Sequence, residues 1–306
     1  MNTPAAALSH LRRQRPEWQP WLAVVEEIVQ ELQTPAWAEC VPRDGRRERR
    51  GIPCLDGAAL TVPDTVVRRL FDRLLRTASR GSTPQLVTVA HAVNRTPDVL
   101  GLFVAALCHD GDRLAEHAGV ASADPGAFQA IAALLPVPFL QACHRQFASA
   151  IPEDWVEPYC PICGSWPAFT EVLGIERARH YRCGRCGAAW HAHGLSCPYC
   201  RTIDHEQLLT LVPEKAGSSA VIDACRQCRG YLKTFNRLQG CEAGAVMIED
   251  LGSVALDVAA LEDGYKRPPG SGYRLRVTVS NGKCRADYSH GTHENDQRSR
   301  APDSTC

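Results

Sequence analysis

Residues 160–164 read CPICG, and three more cysteine pairs with the same internal spacing follow at 183–187 (CGRCG), 197–201 (CPYCR) and 225–229 (CRQCR). Two residues between the cysteines allow a tight turn that points both sulfur atoms at one ion. Two such turns complete a tetrahedral thiolate site. The four pairs therefore predict two metal sites.

The lengths of chain between the pairs predict how the pairs combine. The intervening segments have 19, 10 and 24 residues. The first and third are long enough for a strand to leave one turn and return to the next, whereas the 10-residue segment reads as a connector. The predicted ligands are Cys160, Cys163, Cys183 and Cys186 in the first site and Cys197, Cys200, Cys225 and Cys228 in the second.

The residues around the pairs refine this prediction. Glycine directly follows the first two pairs, where a turn with positive φ favours it. CPYCR lacks this glycine, which predicts a less regular second site. A closed site of four thiolates leaves no open coordination position, so its ion is structural, or redox-active if the ion is iron. The spacing of the cysteines is compatible with either iron or zinc. Arginines near the pairs are expected to offset the thiolate charge: Arg182, Arg185, Arg201, Arg226 and Arg229.

Composition indicates a cytoplasmic protein. The 34 basic and 34 acidic residues cancel, which disfavours a general nucleic-acid or anionic-membrane binder. The first 18 residues lack the apolar core of a secretory signal peptide, and the longest apolar stretch, 99–108, is too short to cross a bilayer. In a reducing compartment, clustered CxxC pairs are typical of metal or redox sites. The sequence around these pairs has no βαβ pattern, so a thioredoxin-like dithiol is not predicted.

Residues 1–152 predict a helical bundle. Apolar residues recur at three-and-four spacing over 18–32 and again over 67–75, each pattern typical of the buried face of a helix. Two further helix starts are predicted at Thr96-Pro97-Asp98 and at Asp124-Pro125 from their capping side chains and prolines.

After residue 152 short β-type runs alternate with the cysteine pairs, which predicts an α+β chain with one small β module around each site, at 153–196 and 197–240. One amphipathic helix is expected at 241–267 and a loosely ordered tail at 268–306, with a short strand as the alternative where Leu275, Val277 and Val279 alternate. The expected buried stripe of that helix is Leu251, Val254, Ala255, Val258 and Leu261.

No functional site is predicted at the remaining acidic residues, histidines and cysteines. Glu249, Asp250 and Asp257 lie at helical spacing and are expected on a solvated or interface face. His191 and His193 alternate on one strand face, which is expected to be exposed. Cys108 and Cys143 lie in apolar helical sequence and are predicted core residues.

The chain carries no GxxxxGK[ST], GxSxG, HExxH or GxGxxG motif, so it is not predicted to be an enzyme. Two other functions stay open. A zinc-ribbon nucleic-acid binder would present basic, aromatic-bearing strand faces. An electron-transfer protein would require redox-active iron.

Several segments carry a family resemblance. They are GIPCL (51–55), CPICGSWP (160–167), RHYRCGRCGAAW (179–190), ACRQCRGYLK (224–233) and IEDLGSVALDVAALEDGYKR (248–267). In this order, after a helical first half, they resemble the formate dehydrogenase accessory protein family FdhE from about residue 15 to 267.

The resemblance implies a helical domain followed by two rubredoxin-like, or zinc-ribbon-like, modules. It also implies iron held by the eight paired cysteines, with zinc as the alternative metal. The expected partner is the catalytic subunit of a respiratory formate dehydrogenase, which such a factor would bind in the cytoplasm to support its assembly or activation.

Overall fold

The computed structural model describes residues 3–43, 50–81, 85, 88, 89, 96, 98–192, 194–213 and 219–282. Helices concentrate in the first half and strands in the second, which confirms the mixed helix-and-sheet class. The helices are α1 (Pro4–Gln14), α2 (Gln19–Glu31), α3 (Ala36–Glu39), α4 (Asp64–Ser79), α5 (Val99–Leu107), α6 (Gly111–Ala121), α7 (Pro125–Ala132), α8 (Val137–Phe147), α9 (Val246–Gly252) and α10 (Val254–Glu262).

The helices from α2 to α8 share one apolar core, whereas α1 packs with α2 and α9 in a smaller cluster that contains Leu8, Leu11 and Ile248. Val67 and Leu70 on the predicted inner face of α4 are fully buried. The same helix is fixed to α2 by an ion pair, since Arg73 lies 2.8 Å from the buried carboxylate of Glu31. Buried charges are tolerated where they are paired in this way.

Of the two later helix starts, the one at Asp124-Pro125 is confirmed as predicted, whereas the other helix begins two residues later than its predicted cap Thr96, at Val99 with Asp98 as the cap. Asp98 accepts a hydrogen bond from the backbone N–H of Gly101 at 2.7 Å, and Asp124 accepts one from Ala127 at 2.8 Å. The segment Pro125–Ala150 is apolar and long enough to cross a membrane by composition, yet 72% of its most apolar window is buried inside the protein. It forms part of the core of the helical half.

The strands of the second half form one continuous sheet. The strands of the chain are β1 (Ala59–Val62), β2 (Phe169–Leu173), β3 (Ala178–Arg182), β4 (Ala189–His191), β5 (Leu208–Leu211), β6 (Ala220–Cys225), β7 (Tyr231–Arg237) and β8 (Thr278–Asn281). The six-stranded sheet has the order β4-β3-β2-β7-β6-β5. Its neighbours are antiparallel except β2 and β7, which run parallel.

Each half of this sheet repeats one plan. Strands β2 and β3 connect the first cysteine pair to the second, and β4 follows the second pair; in the same way β5 and β6 connect the third pair to the fourth, and β7 follows the fourth. The parallel pairing joins the first strand of one half to the last strand of the other. The expected small β modules are therefore fused edge to edge; their boundaries at 153–196 and 197–240 stay a prediction.

The prediction of one amphipathic helix over 241–267 is wrong. Two short helices, α9 and α10, meet at Ser253. Val258 and Leu261 of the expected buried stripe are 49% and 58% exposed, whereas the small Ala260 is buried and packs in a cluster with Ile222 of β6.

Asp250 and Asp257 of these helices face the sheet, so of the two predicted placements, a solvated or an interface face, the solvated one is wrong for these residues. The fully buried Lys233 of β7 lies 2.7 Å from Asp250 and 2.8 Å from Asp257. Arg267 pairs with both carboxylates at 2.8 Å. Asp250 lies on α9 and Asp257 on α10, so the two short helices together bring both carboxylates to the same lysine.

The prediction of a loosely ordered tail is wrong for residues 268–282. Strand β8 pairs in parallel with β1 of the helical half, with Ala59 opposite Thr278. Leu275 is buried, and Arg276 pairs with the buried Asp56 at 2.9 Å. Residues 283–306 of the predicted tail lie outside the described residues.

Candidate metal centres

The four CxxC segments fold into the same backbone turn, called the knuckle below. In each knuckle the N–H of the first cysteine donates to the carbonyl five residues later, at 2.9 Å. The residue after the second cysteine has positive φ in all four: Gly164 (71°), Gly187 (78°), Arg201 (62°) and Arg229 (56°). The prediction of a less regular second site is therefore wrong for the backbone, because arginine adopts the conformation that glycine adopts in the first site.

The first cage consists of the four cysteines of the first two knuckles. Its Sγ atoms all lie within 4.8 Å of one another. Cys160 and Cys186 are 3.4 Å apart, and Cys163 lies 3.5 Å from Cys183 and 4.0 Å from Cys186. All four side chains are buried.

The second cage consists of the cysteines of the last two knuckles, also within 4.8 Å of one another. Cys197 and Cys228 are 3.5 Å apart, and Cys200 and Cys225 are 3.7 Å apart. As in the first cage, the first sulfur of one knuckle meets the second sulfur of the other. Cys200 and Cys228 are only half-buried.

Both cages have the dimensions of a tetrahedral thiolate site. Metal–sulfur bonds of about 2.3 Å would place the sulfurs about 3.8 Å apart, close to the observed separations. Disulfide bonds would require about 2.05 Å, and all eight cysteines are free thiols. Burial raises the pKa of the Cys160 and Cys186 thiols well above the ordinary value, whereas hydrogen bonds with the neighbouring thiols lower the pKa of Cys163. A metal ion bound in the cage would favour the thiolate form of the ligands. The cages could hold either iron or zinc.

The first cage lies between the helical half and the sheet. The GIPCL segment runs against the first knuckle: the backbone N–H of Cys54 donates to the Pro161 carbonyl at 2.8 Å, and that of Leu55 to the Ile162 carbonyl at 3.2 Å. From the other end of the chain, Tyr273 donates its backbone N–H to the Gly164 carbonyl at 2.9 Å. One knuckle therefore contacts the helical half and the C-terminal segment together.

The second knuckle is held by Arg185. Its guanidinium donates to the Ala106 and Leu107 carbonyls at the end of α5, at 2.8 and 3.1 Å. It also lies 2.6 Å from Nε2 of His109. Burial and the neighbouring Arg185 lower the pKa of His109 to about 3, so this imidazole is neutral near pH 7.

The second cage lies near the surface at the other end of the sheet. The two arginines that follow its knuckles bind the protein itself: Arg201 pairs with Glu157, and Arg229 donates to the Asp263 carbonyl at 2.7 Å. Arg229 also stacks over the Tyr265 ring at 4.1 Å. These arginines attach the knuckles to neighbouring segments, a role that charge offset alone did not predict.

Residues outside the cages take other places. Cys143 is fully buried in the helical core, as predicted, and Cys108 is half-buried. His191 is exposed and its ring lies 4.5 Å from that of His180 on the neighbouring strand; His193 lies outside the described residues. The contact of the GIPCL segment with the first knuckle was not predicted from the sequence. The signal that could have predicted it is the position of GIPCL as the first of the segments that carry the family resemblance.

Sequence comparisons match part of the chain to two proteins of the same name. The chain is 34% identical over 124 residues to the protein FdhE homolog of Pseudomonas aeruginosa and 28% identical over 135 residues to that of Aquifex aeolicus. These matches cover 39% and 42% of the chain, and span 40% and 47% of the relatives. No protein-family model matches the chain.

A solved structure shares the fold. The crystal structure of the FdhE protein from Pseudomonas aeruginosa matches 87% of this chain and 92% of its own, with a TM-score of 0.56 and 21% identity. At that identity the likeness describes the fold alone. The relatives carry the FdhE name, which confirms the resemblance seen in the sequence.

Proposed function

This chain is a relative of the FdhE proteins, and on that premise we propose that it is an accessory factor for formate dehydrogenase. It binds the catalytic subunit in the cytoplasm and supports assembly or activation of the enzyme, without being an enzyme itself. The proposed iron ligands, with zinc the alternative metal, are Cys160, Cys163, Cys183 and Cys186 in one site and Cys197, Cys200, Cys225 and Cys228 in the other.

The observation that carries the proposal is the presence of two closed four-cysteine cages on one sheet in a relative of FdhE. Four protein ligands leave no coordination position for a substrate or an activated water. Within the described ranges, these two sets are the groups of His, Cys, Asp and Glu with metal-binding geometry. This chemistry supports binding and scaffolding over catalysis.

The two cages have different proposed roles. An ion in the first would cross-link the knuckle that contacts the GIPCL segment to the knuckle whose Arg185 binds the end of α5, and so join the helical half to the sheet. An ion in the second would cross-link knuckles near the surface, where a partner can reach Cys200 and Cys228. If iron is the ion, each site also has a one-electron couple.

One observation supports electron transfer as a second candidate function. The half-buried Cys200 and Cys228 would bring a bound iron ion close to solvent, and exposure of sulfur influences the potential of such a site. The nucleic-acid alternative gains no such support, because Arg201 and Arg229 bind Glu157 and backbone carbonyls.

The proposal is tested in a strain that lacks this chain. We expect formate dehydrogenase activity to be lost, and to return with the wild-type chain or the Cys108→Ser control but not with Cys163→Ser/Cys186→Ser. The tagged wild-type chain should capture the catalytic subunit, and metal analysis with a visible spectrum should show two iron ions per chain. Unchanged enzyme activity in the deletion strain would exclude the accessory role.

A further inference from the structure

A buried hydroxyl lies beside one sulfur of the first cage. Ser165 stands two residues after Cys163, and both side chains are buried. The Oγ of Ser165 lies 3.3 Å from the Sγ of Cys163, which is the distance of a hydrogen bond to sulfur. A group that hydrogen-bonds to a metal ligand in this way affects how strongly the ligand holds its ion.

The neighbours of Ser165 determine where its proton points. The second neighbour of its Oγ is Nε2 of His109, at 3.1 Å. Nη1 of Arg185 lies 2.6 Å from the same nitrogen, and arginine can only donate, so Nε2 is the acceptor of that pair. A neutral imidazole has one nitrogen that accepts, and Arg185 occupies it at the shorter distance. The proton of Ser165 is therefore left for the sulfur of Cys163.

An ion in the cage gives this hydrogen bond its direction. A neutral Cys163 thiol can donate to Ser165, but a cysteine that binds metal is a thiolate and can only accept. Ser165 then becomes the donor, and a hydrogen bond to an ionised group is stronger than one between neutral groups. Nη1 of Arg185 lies 3.4 Å from the Oγ of Ser165, and its positive charge also favours the thiolate.

The second cage has a hydroxyl at the equivalent position but uses it differently. Thr202 takes the place of Ser165 in the third knuckle, and its carbonyl accepts the corresponding hydrogen bond of the turn. Its half-buried side chain accepts a hydrogen bond from the backbone N–H of Asp204 at 3.3 Å. The other two knuckles have Ala188 and Gly230 at this position, which carry no hydroxyl.

We propose that Ser165 is a positioning residue for the metal ion of the first cage. Its hydroxyl donates to the Cys163 thiolate, and Arg185 and His109 keep it in that direction. The bond stabilises the thiolate and so increases the affinity of the cage for its ion. If the ion is iron, the bond also raises the reduction potential, because it offsets the larger negative charge of the reduced site. This inference rests on the metal binding of the proposed function.

The first test measures the affinity of the full-length chain for Zn²⁺ by competition with a chelator. We expect Ser165→Ala to weaken the binding of one of the two zinc ions about tenfold, a typical loss for the hydrogen-bond partner of a metal ligand. Ser165→Thr keeps a hydroxyl and should retain most of the affinity. Thr202→Val is the matched control and should leave both ions within about twofold of wild type.

The second test separates the hydrogen bond from packing. The full-length chain is loaded with iron, and a redox titration is followed by the visible spectrum. Ser165→Ala should lower the reduction potential of one site, whereas Thr202→Val should leave both potentials unchanged. Looser packing alone would weaken the oxidised and the reduced ion alike and would not shift the potential.

The outcomes distinguish the role of Ser165 from the metal binding on which it rests. A wild-type chain that binds no zinc and no iron would overturn the proposed metal sites together with the role of Ser165. Zinc binding that Ser165→Ala leaves within about twofold of wild type would overturn the role of Ser165 alone. Equal losses for Ser165→Ala and Thr202→Val, or a weaker zinc affinity with an unchanged iron potential, would also overturn it.

Discussion

The two cages have the same backbone turn and the same crossing of sulfur atoms, but they differ in what surrounds them. The first is buried between the helical half and the sheet, whereas Cys200 and Cys228 of the second are half-exposed. The geometry of the ligands is therefore independent of their burial. What differs is the number of segments that each cage joins.

The residue after each knuckle shows how burial determines sequence. A Cβ atom on Gly187 would lie 2.4 Å from the Ala243 carbonyl oxygen, and one on Gly164 would lie 2.8 Å from that of Tyr273. The equivalent Arg201 and Arg229 have room for their side chains and use them for contacts. Glycine is thus required by close packing at the first cage, and not by the turn itself.

The largest expected difference between the cages is in the free energy of unfolding. Cys163→Ser/Cys186→Ser should remove the ion that joins the two halves, with a loss on the order of 10 kcal/mol, because the metal-binding free energy of a structural site is folding free energy. Cys200→Ser/Cys228→Ser should lose one ion and leave the helical half folded. Metal content and thermal unfolding followed by circular dichroism measure both. Equal unfolding temperatures for the two double variants would contradict the comparison.

The second half of the sheet should depend on its buried ion network. Lys233→Ala removes the buried ammonium group and leaves Arg267 as the remaining cation beside Asp250 and Asp257, so we expect a loss of about 3 kcal/mol, at the lower end for a broken buried ion pair. Arg50→Ala is the control, because its pair with Asp154 is 96% and 69% exposed. Such a pair contributes about 0–1 kcal/mol. Urea unfolding followed by tryptophan fluorescence compares them, and similar midpoints would contradict the role of Lys233.

The residue after the knuckle gives a smaller difference. Gly187→Ala should cost about 2–3 kcal/mol, from the left-handed backbone and the close contact with Ala243. Arg201→Gly should change stability by less than about 1 kcal/mol, because relief of backbone strain offsets the loss of the exposed ion pair with Glu157. Denaturant midpoints measure both. A larger loss for Arg201→Gly than for Gly187→Ala would reverse the comparison.

The smallest expected effect is a pH dependence near the first cage. The pKa of His109 is lowered to about 3 in the folded protein by burial and Arg185, from an ordinary value of about 6.5. The contribution of neutral His109 to the free energy of unfolding is therefore complete above about pH 7.5 and declines as pH falls, by about 1.4 kcal/mol at pH 5.5. His109→Asn, which tolerates the positive φ at this position, should remove this increment.

Unfolding free energies at pH 7.5 and 5.5 test the role of His109. The wild-type chain should lose more stability between these two values than the Asn variant. The same loss in both proteins would show that His109 is not the group responsible.

The local part of the site could be predicted from the sequence. CxxC spacing encodes a turn, and segment length encodes which turns can meet, so the two sets of cysteines were expected as they are found. The continuous sheet could not be predicted, because Phe169 of β2 lies opposite Lys233 of β7, far along the chain. Strand patterns give no information about which edge pairs with which.

The placement of the acidic residues in the C-terminal helices could not be predicted from the sequence, because their carboxylates pair with a buried lysine. Asp250 and Asp257 in isolation resemble a solvated face, and their partner Lys233 sits in a strand where a lysine usually faces solvent. Only the tertiary structure brings the three together. Likewise, the pattern of β8 is too short to reveal that β1 is its partner.

The pairing of β1 with β8 has a consequence for biosynthesis. Ala59 leaves the ribosome 219 positions before Thr278, its partner across the two strands. At about 5–20 residues per second, the wait is on the order of 10–45 s. During that time β1 is an unpaired edge, and unpaired edges favour aggregation. Completion of the helical half therefore depends on translation nearly to the end of the described chain, so a product that ends before β8 would keep that edge open.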